Sequence, residues 1–240
     1  MSAERLLRQG KLDEAVQALS GELRDNPGNI RSRTFLFELL CFSGDYDRAS
    51  THLKMLGSQS KDAGVGALLY EGALHAERLR EGMFRSGDLP ASLPEGASTL
   101  SGSLNGRPFT SLSDADPRIG ARLEIFAGGD YLWIPLSQVA SIEMKPPARL
   151  RDLLWSSAVL EIGPAYQQRD LGEVLLPVLC PLSFQDPDDQ VRLGRVTEWC
   201  RDEQGREFPT GQKMLLVDGE EFPFLEIRKL EMNQAAAGRA

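Results

Sequence analysis

Apolar residues recur at helical spacing through the first 84 residues of the chain. Within this stretch, a second pattern of small and apolar residues returns at a fixed interval of 34 positions. The residues Gly10, Leu12, Asp13, Ala15 and Leu19 return as Gly44, Tyr46, Asp47, Ala49 and Leu53. Such a period predicts stacked structural repeats, in which each unit buries its apolar face against its neighbour.

An interval of 34 residues is the period of the tetratricopeptide helix pair. Residues 1–84 are therefore predicted to form an irregular, tetratricopeptide-like helical segment. Its fifth helix, over residues 63–84, carries the prominent apolar residues Leu68, Leu69 and Leu74. The third unit is incomplete, because Arg78 stands where the first two units have glycine. Two units rarely bury enough surface to be stable alone, so we expect this segment to pack on the rest of the chain.

Residues 85–119 have a different composition, with many serines. They are punctuated by Gly87, Pro90, Pro94, Gly96, Gly102, Gly106, Pro108 and Pro117. Such a stretch is typical of a connector, and at most one short strand is expected, around 108–110. An interdomain linker is favoured over a flexible lid as its role.

Residues 120–232 are predicted to form a β-rich domain. Three pairs of apolar runs flank turn sequences and indicate β-hairpins, with turns at 127–130, 202–205 and 218–220. The fold class is therefore α+β, with helical repeats followed by a mostly antiparallel sheet or partly open barrel.

Two short helices are expected to interrupt these strands, over residues 148–154 and 186–193. In the second helix, Asp186 is predicted as the N-cap and Pro187 as the first helical residue. The last residues, 233–240, are expected to form a flexible tail.

The overall charge and the cysteine content narrow the class of protein. A formal net charge of -8 argues against a nucleic-acid partner, because binding to phosphates requires a basic face. The three cysteines form no CxxC pair, which fits a reducing compartment. The charged N-terminus does not resemble a signal peptide, and no apolar run is long enough to cross a bilayer. We expect a cytoplasmic protein with no membrane insertion.

The sequence contains few features that are typical of catalytic or ligand-binding sites. The two histidines, His52 and His75, lie in the helical half, and there is no metal-binding spacing, P-loop or dinucleotide fingerprint. The acidic run 186–189 fits helix capping better than a metal site, because acidic side chains are favoured at a helix N-terminus. We therefore predict no catalytic, cofactor-binding or metal-binding residues.

The three tryptophans, Trp133, Trp155 and Trp199, lie in or beside predicted strands. Core packing is the favoured interpretation for each of them. The alternative is that one is exposed and anchors a partner.

Four segments together resemble a known family. They are GSLNGRPF at 102–109, YLWIP at 131–135, RDLLW at 151–155 and LGRVTEW at 193–199. In this order, after an irregular helical array, they are similar to the ImpE family, also called TagJ or SciE, of bacterial type VI secretion systems. The resemblance extends from the repeats to the final hairpin and depends on the ordered set of segments.

The resemblance implies a non-enzymatic, cytoplasmic accessory protein. Members of this family associate with a helix near the N-terminus of the small sheath subunit, TssB, and are thereby linked to recycling of the sheath by the ClpV ATPase. Two alternatives stay open at this point. One is a hydrolase-type enzyme with a site in the β domain, near 186–189, and the other is a generic tetratricopeptide co-chaperone. A co-chaperone would need a clamp of basic residues, and here Glu38 opposes Arg31 and Arg33.

The partner-binding site is predicted on the first helix of the second unit, because first helices line the concave side of such arrays. Taking Ile30 as the first repeat position places four residues on that side: Arg31, Thr34, Glu38 and Phe42. Arg31 and Glu38 are expected to be exposed, and Phe42 to anchor an amphipathic helix. The alternatives are that Phe42 packs on the fifth helix and that the β domain holds the site.

Overall fold

The computed structural model describes residues 2–91, 100–163, 171–202 and 204–233. Residues 92–99 of the predicted connector and residues 234–240 of the predicted tail lie outside these ranges.

Five helices form the N-terminal part of the chain and confirm the predicted repeat segment. They are α1 (Ala3–Arg8), α2 (Leu12–Asp25), α3 (Ile30–Phe42), α4 (Tyr46–Gly57) and α5 (Lys61–Ser86). Four of these helices are capped by the polar side chains of their N-cap residues, each of which accepts a hydrogen bond from a backbone N–H group. The four N-cap residues are Ser2, Asn29, Asp45 and Ser60. The remaining helix, α2, receives no such hydrogen bond from the side chain of its N-cap residue, Lys11.

Thirteen strands follow in the described residues. They are β1 (Gly102–Leu104), β2 (Arg107–Phe109), β3 (Leu112–Asp114), β4 (Arg122–Ala127), β5 (Asp130–Pro135), β6 (Val139–Met144), β7 (Trp155–Ile162), β8 (Gly172–Pro177), β9 (Thr197–Arg201), β10 (Glu207–Gly211), β11 (Met214–Val217), β12 (Glu220–Pro223) and β13 (Lys229–Met232). Eight of them form one sheet in the order β2-β1-β13-β6-β7-β8-β4-β5. Every pairing in the three sheets is antiparallel, which confirms the predicted α+β class.

The expectation of at most one strand in the connector is wrong, because β1, β2 and β3 all lie within it. Asn105 and Gly106, both with positive φ, form the two-residue turn between β1 and β2. Strand β1 pairs with β13 at the other end of the chain. Gly102 is needed there because a Cβ at this position would lie 2.1 Å from the carbonyl oxygen of Glu231. Gly102, which the sequence suggested was part of a linker, therefore allows β1 to pair closely with β13.

The three predicted hairpins form, but the short helices differ from their predictions. Residues 148–154 contain a 3-10 helix, Leu150–Leu153. The second helix, α6, spans only Asp189–Arg192, and its N-cap is Asp188, not Asp186. The carboxylate of Asp186 accepts the backbone N–H of Asp188 at 2.9 Å, so the chain makes a local turn at this point and the helix begins later.

The helical and β-rich parts share one hydrophobic core. Buried residues of all five helices pack with Phe126, Leu154, Trp155 and Leu175 from the sheet side. A second core lies within the β-rich part. The repeats thus bury their apolar face against the rest of the chain, as the incomplete third unit requires. Within the described ranges, no helix has the length and apolar character needed to span a membrane.

Both glycines of the 34-residue repeat touch the β-rich part. Gly10 and Gly44 have φ values of +74° and +72°, which glycine adopts without strain. A Cβ on Gly10 would lie 1.7 Å from the side-chain amide of Gln190, and one on Gly44 would lie 2.2 Å from the ring of Phe184. The turns between the repeat helices are therefore docking points for the segment around α6.

We expect Gly44→Ala to lower the free energy of unfolding of the chain by about 1–3 kcal/mol, because alanine at this position has a strained backbone and its Cβ clashes with Phe184. The matched control is Gly82→Ala in α5, where a Cβ meets no atom within 4 Å. That change should be neutral or stabilising by up to about 1 kcal/mol, since alanine favours a helix over glycine. Urea denaturation of both variants makes the comparison, and equal stability of the two would contradict this packing.

Candidate partner-binding surface

The four predicted partner-binding residues differ in exposure: Arg31 is exposed, Thr34 is half-buried, and Glu38 and Phe42 are buried. The Arg31 side chain is 87% exposed and pairs with Glu4 of α1 at 2.8 Å. Thr34 is half-buried, and its hydroxyl donates to the carbonyl of Ile30. Glu38 is buried, and Phe42 is only 1% exposed. The expected exposure of Glu38 is therefore wrong, while the assignment of these four residues to partner binding stays a prediction.

Glu38 is buried because the 3-10 helix from the β-rich part lies over this end of α3. The Arg151 guanidinium is 3.6 Å from the Glu38 carboxylate and 4.9 Å from the centre of the Tyr70 ring in α5. Burial raises the pKa of Glu38 to about 6, against the opposing effect of Arg151. Phe42 lines a small cavity together with Glu77 and Arg80 of α5. This half of the concave face is thus filled by the chain itself.

The 34-residue interval predicts which residues of α5 are equivalent to the four predicted partner-binding residues of α3. Adding 34 to the four predicted positions gives Val65, Leu68, Gly72 and Ala76. Ala76 is fully buried, and Gly72 lies against the β4–β5 turn, where an added Cβ would be 3.2 Å from the Cα of Gly129. In contrast, Val65 and Leu68 are 70% and 73% exposed, and the neighbouring Leu69 is 52% exposed. Both helices are therefore covered at their C-terminal positions and open at their N-terminal positions.

We call this open region the half-groove and define it by Arg31, Thr34, Val65, Leu68 and Leu69. From the sequence alone, Leu68 and Leu69 are prominent apolar residues of the fifth helix, with no predicted role in binding. Leu74 is fully buried, whereas these two leucines are not. The signal that identifies the half-groove is the repeat interval, applied to α5 as well as to α3.

The tryptophans of the β-rich part differ in environment. Trp155 is buried and donates from Nε1 to Glu77 at 2.8 Å. Trp133 is half-buried, and its ring lies 5.9 Å from that of Phe84 in α5. Trp199 is 45% exposed and donates to Glu221. It is the tryptophan that a partner could reach on the β-rich part.

A group of charged side chains is buried between α5 and the sheet. Arg80 donates from Nε and Nη2 to the two carboxylate oxygens of Glu124 in β4, at 2.8 and 3.0 Å. It also donates to Glu77 at 2.9 Å and to the carbonyl of Leu179 at 2.9 Å. A bidentate pair of this kind fixes both position and orientation. Sequence reasoning missed it because charged residues in a helix pattern normally indicate a solvent-exposed face.

Lys213 extends this buried cluster. Its ammonium group contacts Asp114 at 2.8 Å and also contacts Glu124, which additionally accepts a hydrogen bond from Tyr131 at 2.5 Å. Burial opposes the charged form of Lys213, but Asp114 and Glu124 raise its pKa overall. Burial likewise raises the pKa of Asp114 to about 6, whereas Arg80 and Lys213 lower the pKa of Glu124 despite its burial. The opposite charges of the acidic and basic groups thus offset the cost of burying each of them inside the protein.

This cluster contains titratable side chains, but it lacks the access to a substrate that a hydrolase site requires. Arg80, Lys213, Glu124 and Asp114 are each at most 3% exposed. The cavity beside Arg80 and Glu77 has a volume of about 20 Å³, too small for a substrate. A group that is both sealed and fully paired is explained by packing, because buried charges require partners.

The acidic run at 186–189, where an enzyme site was considered, is engaged in structural contacts. Asp188 caps α6 through the backbone N–H of Gln190 at 2.8 Å. Asp189 accepts the backbone N–H of Leu12 at 2.7 Å and contacts Arg192 at 2.7 Å. Asp189 thereby caps α2, the helix that lacks a cap from its own N-cap residue. In the described part of the chain, no three or more His, Cys, Asp or Glu residues are placed to hold a metal ion.

The basic clamp that a co-chaperone would need does not assemble on α3. Arg33 donates to the carbonyl of Pro27 and contacts His52 and Met55 of α4. The Arg33 guanidinium is therefore held on the α4 side, and the Arg31 guanidinium is paired with Glu4 of α1.

The fold and these contacts define a class of protein: a short helical-repeat array whose concave face is half covered by an antiparallel β-rich part. Comparisons with known sequences agree with this division. A tetratricopeptide repeat profile matches residues 6–69, and the profile of the ImpE protein family matches residues 106–231. The chain belongs to the ImpE family.

One curated relative is similar over almost the whole chain. The type VI secretion system accessory component TagJ of Pseudomonas aeruginosa is 32% identical over an alignment of 269 positions, which covers 99% of this chain and 93% of TagJ. A solved structure has the same fold: the crystal structure of protein VPA1032 from Vibrio parahaemolyticus superposes with a TM-score of 0.84 at 20% identity, covering 98% of each chain.

A pH dependence of stability follows from Glu81 of α5. Burial, and then the nearby Glu77, raises the pKa of Glu81 from 4.5 to about 8, and Tyr46 donates to its carboxyl group. The folded state therefore holds this proton more tightly than the unfolded state. Its contribution to stability is complete below pH 4.5 and is lost as the pH rises towards 8.

We expect the free energy of unfolding to fall by at least about 1 kcal/mol between pH 6.5 and pH 9, since one unit of pKa shift is worth about 1.4 kcal/mol. Glu81→Gln should flatten this dependence, because an amide resembles the protonated carboxyl group. The exposed residue Glu14 supplies the control, and Glu14→Gln should keep the pH profile of the unmodified chain. Urea denaturation across this pH range gives the measurement, and an unchanged profile in Glu81→Gln would refute the assignment.

Proposed function

We propose that this chain is a non-enzymatic accessory component of a bacterial type VI secretion system, and that it binds the N-terminal helix of the small sheath subunit, TssB. The observation that carries the proposal is the 32% identity to TagJ across 99% of the chain. This similarity includes both the repeats and the β-rich part, and it supports the accessory role in the secretion system.

The arrangement of the site supports a binding role over a catalytic one. Tetratricopeptide-like arrays present surfaces to partner proteins, and this array leaves a half-groove open after its own β-rich part has packed. The clustered titratable groups are buried in mutual pairs. A link to the ClpV ATPase would then be indirect, through the sheath subunit, and would place the protein in the cytoplasm.

The experiment is a calorimetric titration of the purified chain with the full-length small sheath subunit of the same secretion system. We expect saturable binding that is lost when the N-terminal helix of that subunit is deleted. A sheath subunit with this helix retained but its apolar positions scrambled serves as the control. Absence of binding to the full-length subunit, or equal binding to the truncated one, would contradict the proposed function.

A further inference from the structure

The half-groove contains an apolar stripe of helical spacing that nothing in the described chain covers. Val65, Leu68 and Leu69 stand at positions i, i+3 and i+4 of α5, on one face over slightly more than one turn. All three are more than half exposed. Three large aliphatic side chains grouped in this way are unusual on a surface whose other apolar residues are scattered, and such groups mark interaction sites.

This stripe continues directly into a face of α5 that the chain already uses for docking. The next position on the same line, Gly72, lies against Gly129 in the turn between β4 and β5, and Ala76 beyond it is fully buried. This face of α5 is therefore packed by the β-rich part from Gly72 onward and exposed at Val65, Leu68 and Leu69. The β-rich part covers its C-terminal portion and stops at Gly72.

The shape of the open portion fits one helix. Its far end is closed by the β4–β5 turn at Gly72 and by Arg151, which contacts both Glu38 of α3 and Tyr70 of α5. A groove between two neighbouring helices, lined by aliphatic side chains, accommodates the apolar face of an amphipathic helix. A dimer of this chain would need about 20 residues from each copy, many more than the half-groove offers.

We propose that the half-groove is the docking site for an amphipathic helix of a partner protein, whose apolar side chains at i, i+3, i+4 and i+7 pack on Val65, Leu68 and Leu69. This assignment rests on the proposed function, because it takes the sheath-subunit helix as the occupant.

The test uses the full chain and a synthetic peptide of the sheath-subunit helix, titrated by calorimetry. Val65→Glu combined with Leu68→Glu should weaken binding at least about tenfold, because each places a charge against the apolar face of the peptide. Both positions are exposed, so the melting temperature should be unchanged. The matched control is Met55→Glu, an exposed apolar residue of α4 outside the half-groove, which should alter the dissociation constant less than twofold.

A measurement on the unmodified protein gives independent evidence. Hydrogen exchange with and without the peptide should show slower exchange on binding in the first turns of α5, around 61–69. Protection confined to the β-rich part, for example near Trp199, would overturn the assignment.

The outcomes separate the two proposals. If the unmodified chain binds neither peptide nor full-length subunit, the proposed function fails and the docking assignment fails with it. If the unmodified chain binds and the Val65→Glu, Leu68→Glu variant binds equally well, only the docking assignment fails. Concentration-dependent dimers that this variant abolishes, seen by sedimentation, would assign the stripe to a second copy and also overturn the proposal.

Discussion

The buried pair between Arg80 and Glu124 is the interaction on which the arrangement of this protein depends. It joins α5, the last helix of the repeats, to β4 in the middle of the chain. A guanidinium and a carboxylate removed from water are stable only with their full set of partners, and loss of one partner from such a pair costs about 3–5 kcal/mol. Glu77, Lys213 and the carbonyl of Leu179 complete that set. The geometry of this cluster therefore holds the β-rich part against the helices in one position.

That position determines which part of the repeat array is accessible. With α5 held on the sheet, the 3-10 helix brings Arg151 onto Glu38, and the β4–β5 turn reaches Gly72. The concave face is consequently closed at the C-terminal ends of its first helices. The α6 segment adds a second attachment, where Asp189 caps α2 and Phe184 packs on Gly44. Internal packing thus leaves a half-groove with a well-defined end, suited to a single short helix.

Local signals explain what the sequence could predict. The repeat glycines, the helix-capping residues and the three turn sequences act within a few residues, so the helices and these hairpins were predictable. The strands in the supposed connector were not, because β1 depends on β13, more than 120 residues away; the Asn105–Gly106 turn was the one local signal present. The closure of the groove was also unpredictable, since the burial of Glu38 depends on Arg151, which is distant in sequence. Half of the candidate site, Arg31 and Thr34, lies in the open region.

The central claim is that the repeats and the β-rich part form one cooperative structure. All three tryptophans, Trp133, Trp155 and Trp199, lie in the β-rich part, whereas the five longest helices of the described residues lie in 3–86. Tryptophan fluorescence and helical ellipticity at 222 nm therefore report on different parts of the chain. In urea, the account predicts that the two signals change in a single transition with the same midpoint and slope. Two separate transitions, with the helical signal persisting after the tryptophans are exposed or the reverse, would contradict it.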